Sequence, residues 1–187
     1  GGIYRTSDNA LTWRSSNGGI NSKNITCFGI SQLGELFCGT LGAGLNFSVN
    51  NGVSWSEYKR NNYFRNVTAL TFPVTAEPVV GTDDRGIFRY DGRVMDDWVK
   101  TSVKYPGINA LARNSEGVLF ASIAFEGIFK SLDSGRTWTY VSHKTDSSMK
   151  PMLAYKNGLV LASNKNKGIY RSTDNGISWS QAILPGT

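Results

Sequence analysis

One phrase of thirteen residues, KGIYRSTDNGISW at positions 167–179, decides the fold of this 187-residue chain because it recurs. EGIFKSLDSGRTW stands at positions 126–138 and GGIYRTSDNALTW at positions 1–13. One glycine near the start of the phrase recurs in each repeat at spacings of 42, 42, 41 and 41 residues, as Gly2, Gly44, Gly86, Gly127 and Gly168. A period of about 40–45 residues is typical of propeller blades with four strands each. The chain therefore consists of equal structural repeats.

The segments between the phrases indicate strands rather than helices. NVTALTFPV at positions 66–74, GVLFASI at 117–123 and GLVLASN at 158–164 are short, rich in β-branched residues and bounded by Gly, Pro or Asn. Each period divides into apolar inner strands A and B, a strand C that carries the phrase, and a more polar outer strand D that begins near its Trp. We predict an all-β fold, a β-propeller of four-stranded antiparallel blades. Its expected parts are a half blade at 1–18 and blades at about 19–61, 62–103, 104–143 and 144–187.

Both ends of the chain supply C and D strands, so no A–B pair is left to complete the first half blade. Three arrangements satisfy this pattern. The chain is part of a larger ring completed by further blades, or it closes as a small five-bladed ring with a thin first blade, or several copies self-associate into one ring. Exposed sheet faces and edges in an open array would favour association.

The repeated phrase fits the pattern Ser/Thr-x-Asp-x-Gly-x-x-Trp, and its residues explain a turn between strands C and D. The short carboxylate can accept backbone N–H groups of its own turn, the Gly can take a positive φ, and the Trp can bury its ring against neighbouring strands. We assign these positions a structural role: Asp8, Trp13, Asn50, Trp55, Trp98, Asp133, Trp138, Asp174 and Trp179. The third copy keeps little more than its Trp, which favours architecture over catalysis.

This pattern resembles the Asp-box, also called the bacterial neuraminidase repeat. With its apolar A and B strands, the whole chain resembles the Asp-box β-propellers, most closely the group similar to the photosystem II stability/assembly factor. Sialidases, sortilin-type receptors and xyloglucan hydrolases carry the same boxes on larger propellers. The resemblance implies the propeller fold and leaves the function open. A sialidase is not expected, because the Arg-Ile-Pro motif of those enzymes is absent.

Ligand sites of a propeller are expected where the B–C and D–A loops meet, with the Asp-box turns at the opposite end. Carboxylates and aromatic rings in these loops suit a sugar or peptide. The candidate binding residues are Tyr63, Phe64, Arg65, Asp83, Asp84, Arg85, Tyr105, Phe125 and Glu126. Since glycoside hydrolysis uses two carboxylates, Asp83, Asp84 and Glu126 are also the candidates for catalysis.

Several classes of function are not expected from the composition. The formal net charge of +6 is spread along the chain, so no nucleic-acid-binding arm is expected, and no apolar run is long enough to insert in a membrane. No metal or cofactor motif is present, and His143 lacks a nucleophile partner. Cys27 and Cys38 are expected to be near neighbours across an A–B hairpin, where a disulfide is geometrically conceivable. Small or apolar residues at their equivalent positions favour two free, buried thiols instead.

The sequence favours a non-catalytic interaction or scaffold propeller, exported to an extracellular or periplasmic location, whose loop face binds a protein or glycan. Two other hypotheses stay open. One is an extracellular glycoside hydrolase or its accessory carbohydrate-binding propeller. The other is a sensory input domain of a membrane signalling protein.

Overall fold

The computed structural model describes residues 1–59, 63–74, 77–92, 98–142, 149–164 and 167–182. Its elements are eighteen strands arranged in five antiparallel sheets. Within this part of the chain no helix is present that is long and apolar enough to cross a membrane. The predicted fold class, all-β with four-stranded antiparallel blades, is confirmed.

The sheets follow one another along the chain, each built from consecutive strands. The half blade is a two-stranded sheet of β1 (Tyr4–Arg5) and β2 (Arg14–Ser15). Blade 1 contains β3 (Ile25–Ile30), β4 (Leu36–Thr40), β5 (Leu45–Ser48) and β6 (Ser56–Glu57). Blade 2 contains β7 (Val67–Thr71), β8 (Val79–Thr82), β9 (Ile87–Tyr90) and β10 (Trp98–Lys100). Blade 3 contains β11 (Ile108–Arg113), β12 (Leu119–Ile123), β13 (Gly127–Ser131) and β14 (Thr139–Ser142). Blade 4 contains β15 (Met149–Ala154), β16 (Val160–Asn164), β17 (Gly168–Ser172) and β18 (Ser180–Gln181).

The hydrophobic core lies between the blades. Val79 and Ile87 of blade 2 pack in one cluster with Leu119 of blade 3, and Phe120 of blade 3 packs in the next cluster with Val160 of blade 4. Because successive side chains of a strand point to opposite faces, the inner strands of a central blade contribute to two clusters at once. This explains why every residue of β8 and β12 is buried and why their sequences are mostly apolar, with Thr82 and Ser122 as the polar exceptions.

Threonine side chains tie neighbouring inner strands together near the propeller axis. The Thr26 hydroxyl of β3 donates a hydrogen bond of 2.6 Å to the carbonyl of Val67 in β7. One repeat later, the Thr68 hydroxyl donates a bond of 2.5 Å to the carbonyl of Ile108 in β11. The same contact therefore joins blade 1 to blade 2 and blade 2 to blade 3.

The half blade covers only part of blade 1. Ile3 packs with Cys38 and Trp55, and the Trp55 indole N–H donates to the carbonyl of Ser16 at 3.1 Å. Since the half blade has no A or B strand, Phe28 on β3 is 61% exposed. The burial of β3 consequently alternates, unlike that of the inner strands in blades 2 and 3.

The outer face of blade 4 is also open to solvent. Leu153 is 58% exposed, and Ile169 on the same face is exposed as well. At the equivalent positions of blade 3, Ala112 and Ile128 are buried against blade 4. Within the described residues, the half blade does not cover this face of blade 4, so the face remains exposed.

Candidate functional site

The loops and turns are sorted to the two ends of the blades. At one end, the backbone N–H groups of Gly42 and Gly44, in a B–C loop, donate to the carbonyl of Arg65 in a D–A loop. At the other end, the Asn114 amide in an A–B turn donates to Asn175 in a C–D turn of the repeated phrase at 3.0 Å. The first end is called the loop face below, and the second the turn face.

In four copies of the repeated phrase, the turn between strands C and D is closed by its own side chains. In the last one, the Ser172 hydroxyl donates to Asp174 at 2.7 Å, and Asp174 accepts the backbone N–H of Ser178 at 2.9 Å. The Ser178 hydroxyl donates to the second carboxylate oxygen, and the Ser172 hydroxyl accepts the N–H of Gly176 at 2.9 Å. The same network surrounds Asp8 and Asp133. At Asn50, Oδ1 accepts the Ser48 hydroxyl and the Ser54 N–H, but the side-chain amide donates to the Ser54 hydroxyl at 2.8 Å. In all four turns these side chains therefore contact the backbone and the flanking hydroxyls of their own turn.

These hydrogen bonds favour the charged form of the carboxylates. The hydroxyl and N–H of Ser178, with the Ser172 hydroxyl, lower the pKa of Asp174 to about 2. The Thr12 hydroxyl and N–H act in the same way on Asp8, whose pKa falls to about 2. Partial burial acts to raise the pKa of Asp133, but hydrogen bonds within its own turn outweigh it and the pKa is lowered.

The tryptophans of the repeated phrase do not share one environment. Trp55, Trp98 and Trp138 are buried, and Trp179 is half-buried. Trp13, however, is 59% exposed, which corrects the expectation that each ring is buried against neighbouring strands. The half blade has only two strands, so less apolar surface is available to cover the ring of Trp13.

Several candidate binding residues meet at the loop face of blade 2. The Arg85 guanidinium donates to the carbonyl of Tyr63 at 2.8 Å and lies 3.5 Å from the Asp84 carboxylate. Asp83 accepts a hydrogen bond of 3.0 Å from the amide of Asn66. We call the exposed residues Tyr63, Asp83, Asp84 and Arg85 the loop-face patch. Sequence reasoning did not select Asn66, because it precedes its strand and nothing local marks its contact with Asp83.

Phe64 is not available for binding. Its side chain is 1% exposed, with its ring centroid 4.9 Å from that of Trp98 and 5.2 Å from that of Phe88. The prediction that Phe64 is a candidate binding residue is wrong, because its ring turns into the core between blades 1 and 2 while its neighbours Tyr63 and Arg65 remain exposed.

The remaining candidates lie on the next loops around the axis. Tyr105 is exposed, and its ring centroid lies 6.0 Å from that of Phe129 at a tilted angle. Its backbone carbonyl lies next to Gly86, in the same loop as Asp83, Asp84 and Arg85. Phe125 is 68% exposed, whereas Glu126 is half-buried. Within the described ranges, no hydrogen bond or ion pair joins Glu126 to Asp83 or Asp84.

The two thiols belong to different clusters. Cys27 packs with the core between blades 1 and 2, and Cys38 packs with the half blade. Strand register places Cys27 opposite Gly39 and Cys38 opposite Phe28, and both thiols are free. Burial raises the pKa of Cys38 to about 12. No cluster of His, Cys, Asp or Glu in the described ranges could hold a metal ion, and His143 lies outside those ranges.

A cleft of about 520 Å³ runs between the four inner strands at the propeller axis. We call it the axial cleft. One polar position per repeat lines it, and these residues follow the period of the sequence: Thr26, Thr68, Asn109 and Lys150. The rest of its wall is apolar and consists of Leu41 and of residues from the same strands: Cys27, Phe28, Ala69, Leu70, Ala110, Leu111 and Met152. The sequence analysis missed this site, although the period of 41–42 residues could have identified its first four residues.

Comparison with known proteins shows likeness in fold and little in sequence. The chain matches no protein family model and no curated protein. It is similar to the GH74 xyloglucanase from Xanthomonas campestris with a TM-score of 0.73 and 16% identity, over 100% of this chain and 36% of that one. It is similar to YCF48 from Cyanidioschyzon merolae with a TM-score of 0.66 and 15% identity, over 96% of this chain and 65% of that one.

A third similar structure is the extracellular domain of a hybrid two component system from B. thetaiotaomicron. The TM-score is 0.67 and the identity 17%, over 89% of this chain and only 22% of that chain. The chain therefore spans only about a fifth of the length of this relative. All three are β-propeller proteins, which defines the fold of this chain as propeller-like. They include a xyloglucanase and the extracellular domain of a two component system, so the fold does not choose between catalysis and another function.

Proposed function

We propose that this protein is a non-catalytic interaction module, exported from the cell, whose loop face binds a protein or glycan partner. We further propose that it belongs with the Asp-box propellers, near the group similar to the photosystem II stability/assembly factor. The observation that carries the proposed function is the state of the loop-face patch. The carboxylates of the patch are already paired with side chains of the same protein, while the aromatic rings beside the patch are exposed.

The partners of the carboxylates argue against their use in hydrolysis. Asp83 accepts the Asn66 amide at 3.0 Å, and its carbonyl accepts the N–H of Gly107 at 2.8 Å, which joins two loops. Asp84 lies 3.5 Å from the guanidinium of Arg85. A hydrolase of glycosides needs one carboxyl group to give a proton and a second to act on the opposite side of the bond. The Asp83 carboxylate is instead engaged with an amide of the neighbouring D–A loop, and the Asp84 carboxylate is paired with the adjacent Arg85.

The exposed rings supply the binding surface. Tyr63, Tyr105 and Phe125 are exposed on three successive loops around the axis. Flat aromatic faces bury area at low cost in side-chain entropy, and they accept sugar rings or apolar side chains of a protein. The guanidinium of Arg85 adds a fixed donor, because its contact with the Tyr63 carbonyl holds it in one position.

The test is a binding measurement on the immobilised protein against a panel of polysaccharides and secreted proteins. Xyloglucan, β-glucan and sialylated glycans form the polysaccharide arm. For whichever partner binds, we expect Arg85→Ala and Phe125→Ala to weaken binding by about tenfold or more, as for central interface residues. Arg136→Ala is the matched control, since Arg136 is an exposed arginine in an Asp-box turn on the turn face.

Two results would count against the proposal. Equal losses in Arg85→Ala and Arg136→Ala would place the binding surface elsewhere. Release of reducing sugar from a bound polysaccharide, abolished by Asp84→Asn, would show a glycoside hydrolase instead.

A further inference from the structure

We propose that the axial cleft binds a small organic anion, with its apolar body between the inner strands and its acid group paired with the ammonium of Lys150. This inference goes beyond the proposed function, because it assigns a ligand class to a second site that is separate from the loop-face patch.

The shape and the wall of the cleft fit a small apolar body. Its volume of about 520 Å³ falls within the range of small-molecule sites, which is about 300–1,000 Å³. Phe28, Leu70, Leu111 and Met152 come from four successive inner strands and converge on this space. Such a mostly apolar wall with a few placed polar groups is typical of ligand pockets.

Lys150 gives the cleft its charge. Among the described residues that line the cleft, it is the one ionic side chain, and it is exposed. Its carbonyl is held by the Ser163 hydroxyl at 2.5 Å, which fixes the position of the backbone from which the side chain extends. An ammonium at the edge of an apolar wall can pair with the acid group of a ligand whose apolar body lies against that wall.

The repeat shows that this lysine is not needed for the fold. The equivalent residues are Thr26, Thr68 and Asn109, all neutral. Both threonine hydroxyls donate hydrogen bonds to backbone carbonyls of the next blade, those of Val67 at 2.6 Å and Ile108 at 2.5 Å. Lys150, on the last blade, has no such strand beyond it in the described part of the chain. A residue that departs from the structural role of its position is the best candidate for binding.

Two dyes that differ in one charged group separate the charge from the apolar wall. Anilinonaphthalene sulfonate carries a sulfonate, and N-phenylnaphthylamine has the same rings without it. In fluorescence titrations we expect Lys150→Gln to weaken the sulfonate dye about tenfold, which is the typical loss of a charge-assisted hydrogen bond, and to leave the neutral dye unchanged. Phe28→Ser is expected to weaken both dyes, since Phe28 is part of the wall and is exposed enough to be replaced without unfolding.

The controls match charge and exposed apolar area elsewhere. Lys156→Gln removes an exposed lysine from an A–B turn at the turn face, and Leu153→Ser removes an exposed apolar side chain from the outer face of blade 4. Neither is expected to change the affinity of either dye. Circular dichroism of each variant verifies that it is folded.

Each outcome decides the matter. Wild-type affinity of Lys150→Gln for the sulfonate dye would overturn the inference, as would loss of dye binding in Leu153→Ser, which would place the dye on blade 4. If Arg85→Ala loses the macromolecular partner while Lys150→Gln keeps the dye, the proposed function stands and this inference falls. If dye binding depends on Lys150 but no partner binds the loop-face patch, the proposed function falls and the cleft stands.

Discussion

Trp55 and Trp13 occupy the same position of the repeated phrase, but their replacement should have very different costs. Trp55 is 4% exposed and packs with Ile3 and Cys38, whereas Trp13 is 59% exposed. Replacing a buried Trp by Ala typically costs about 3–5 kcal/mol from lost contacts and the cavity that remains. The lost hydrogen bond from the Trp55 indole to the Ser16 carbonyl adds about 1 kcal/mol. Trp13→Ala should cost no more than about 1 kcal/mol, in the range of surface changes.

Thermal unfolding followed by far-UV circular dichroism measures this difference. In a domain of this size, 1 kcal/mol corresponds to a change in Tm of about 2–4 °C. Trp55→Ala should therefore lower Tm by about 8–24 °C, and Trp13→Ala by no more than about 4 °C. Trp55→Phe is the control, because it keeps an aromatic ring and removes the N–H donor, and its Tm should lie between those of the wild type and Trp55→Ala.

Equal losses of Tm in Trp55→Ala and Trp13→Ala would refute the reasoning, since the cost would then follow the motif and not the neighbours of the ring. An unchanged Tm in Trp55→Ala would refute the packing of the half blade on blade 1.

Three further predictions concern other parts of the molecule. Hydrogen bonds from Ser178 and Ser172 lower the pKa of Asp174 from 3.8 to about 2. The stability that its charged form contributes is therefore fully present above the ordinary pKa of 3.8 and is lost as the pH falls through the folded-state pKa of about 2. Asp174→Asn should show a smaller loss of Tm than the wild type between pH 5 and pH 2. Gly19→Ala should lower Tm far more than Gly34→Ala: both glycines have positive φ, but a Cβ at Gly19 collides with the carbonyl of Trp55, and none of the surrounding atoms lies within 4 Å of a Cβ at Gly34. The thiol of Cys38 should resist iodoacetamide at pH 8 in the folded protein and react in urea, as counted by mass spectrometry, because burial raises its pKa to about 12 and excludes the reagent; rapid alkylation without urea would contradict this.

The sequence predicted the blades because their signal is repeated and local. The glycine and tryptophan of each phrase mark the C–D turn, and apolar runs such as β8 and β12 identify strands that are buried on both faces. It also selected the loops that carry Asp83 and Arg85, since charged residues beside Gly in a B–C loop stand out from the repeat.

The errors arose where burial depends on a neighbour that local sequence does not reveal. Phe64 stands between Tyr63 and Arg65 in a polar stretch, and only its contact with Trp98 across the blade shows that it belongs to the core. Trp13 carries the motif but lacks a complete blade behind it. The axial cleft was missed because Lys150 acquires meaning only when four strands are brought around one axis.

The contacts from one inner strand to the next also determine how the molecule opens. β7 is held by β3 on one side and by β11 on the other, and β11 in turn contacts β15. Stability in such an array is close to a sum of nearest-neighbour terms, so that fluctuations begin where a unit has one neighbour and travel inward. Amide protons of β8 and β12 should thus be the last to exchange with deuterium, while those of β16 and β4 exchange earlier. The outer sheets would therefore open before the middle ones, and the unfolding rate of the middle blades would determine the lifetime of the folded state.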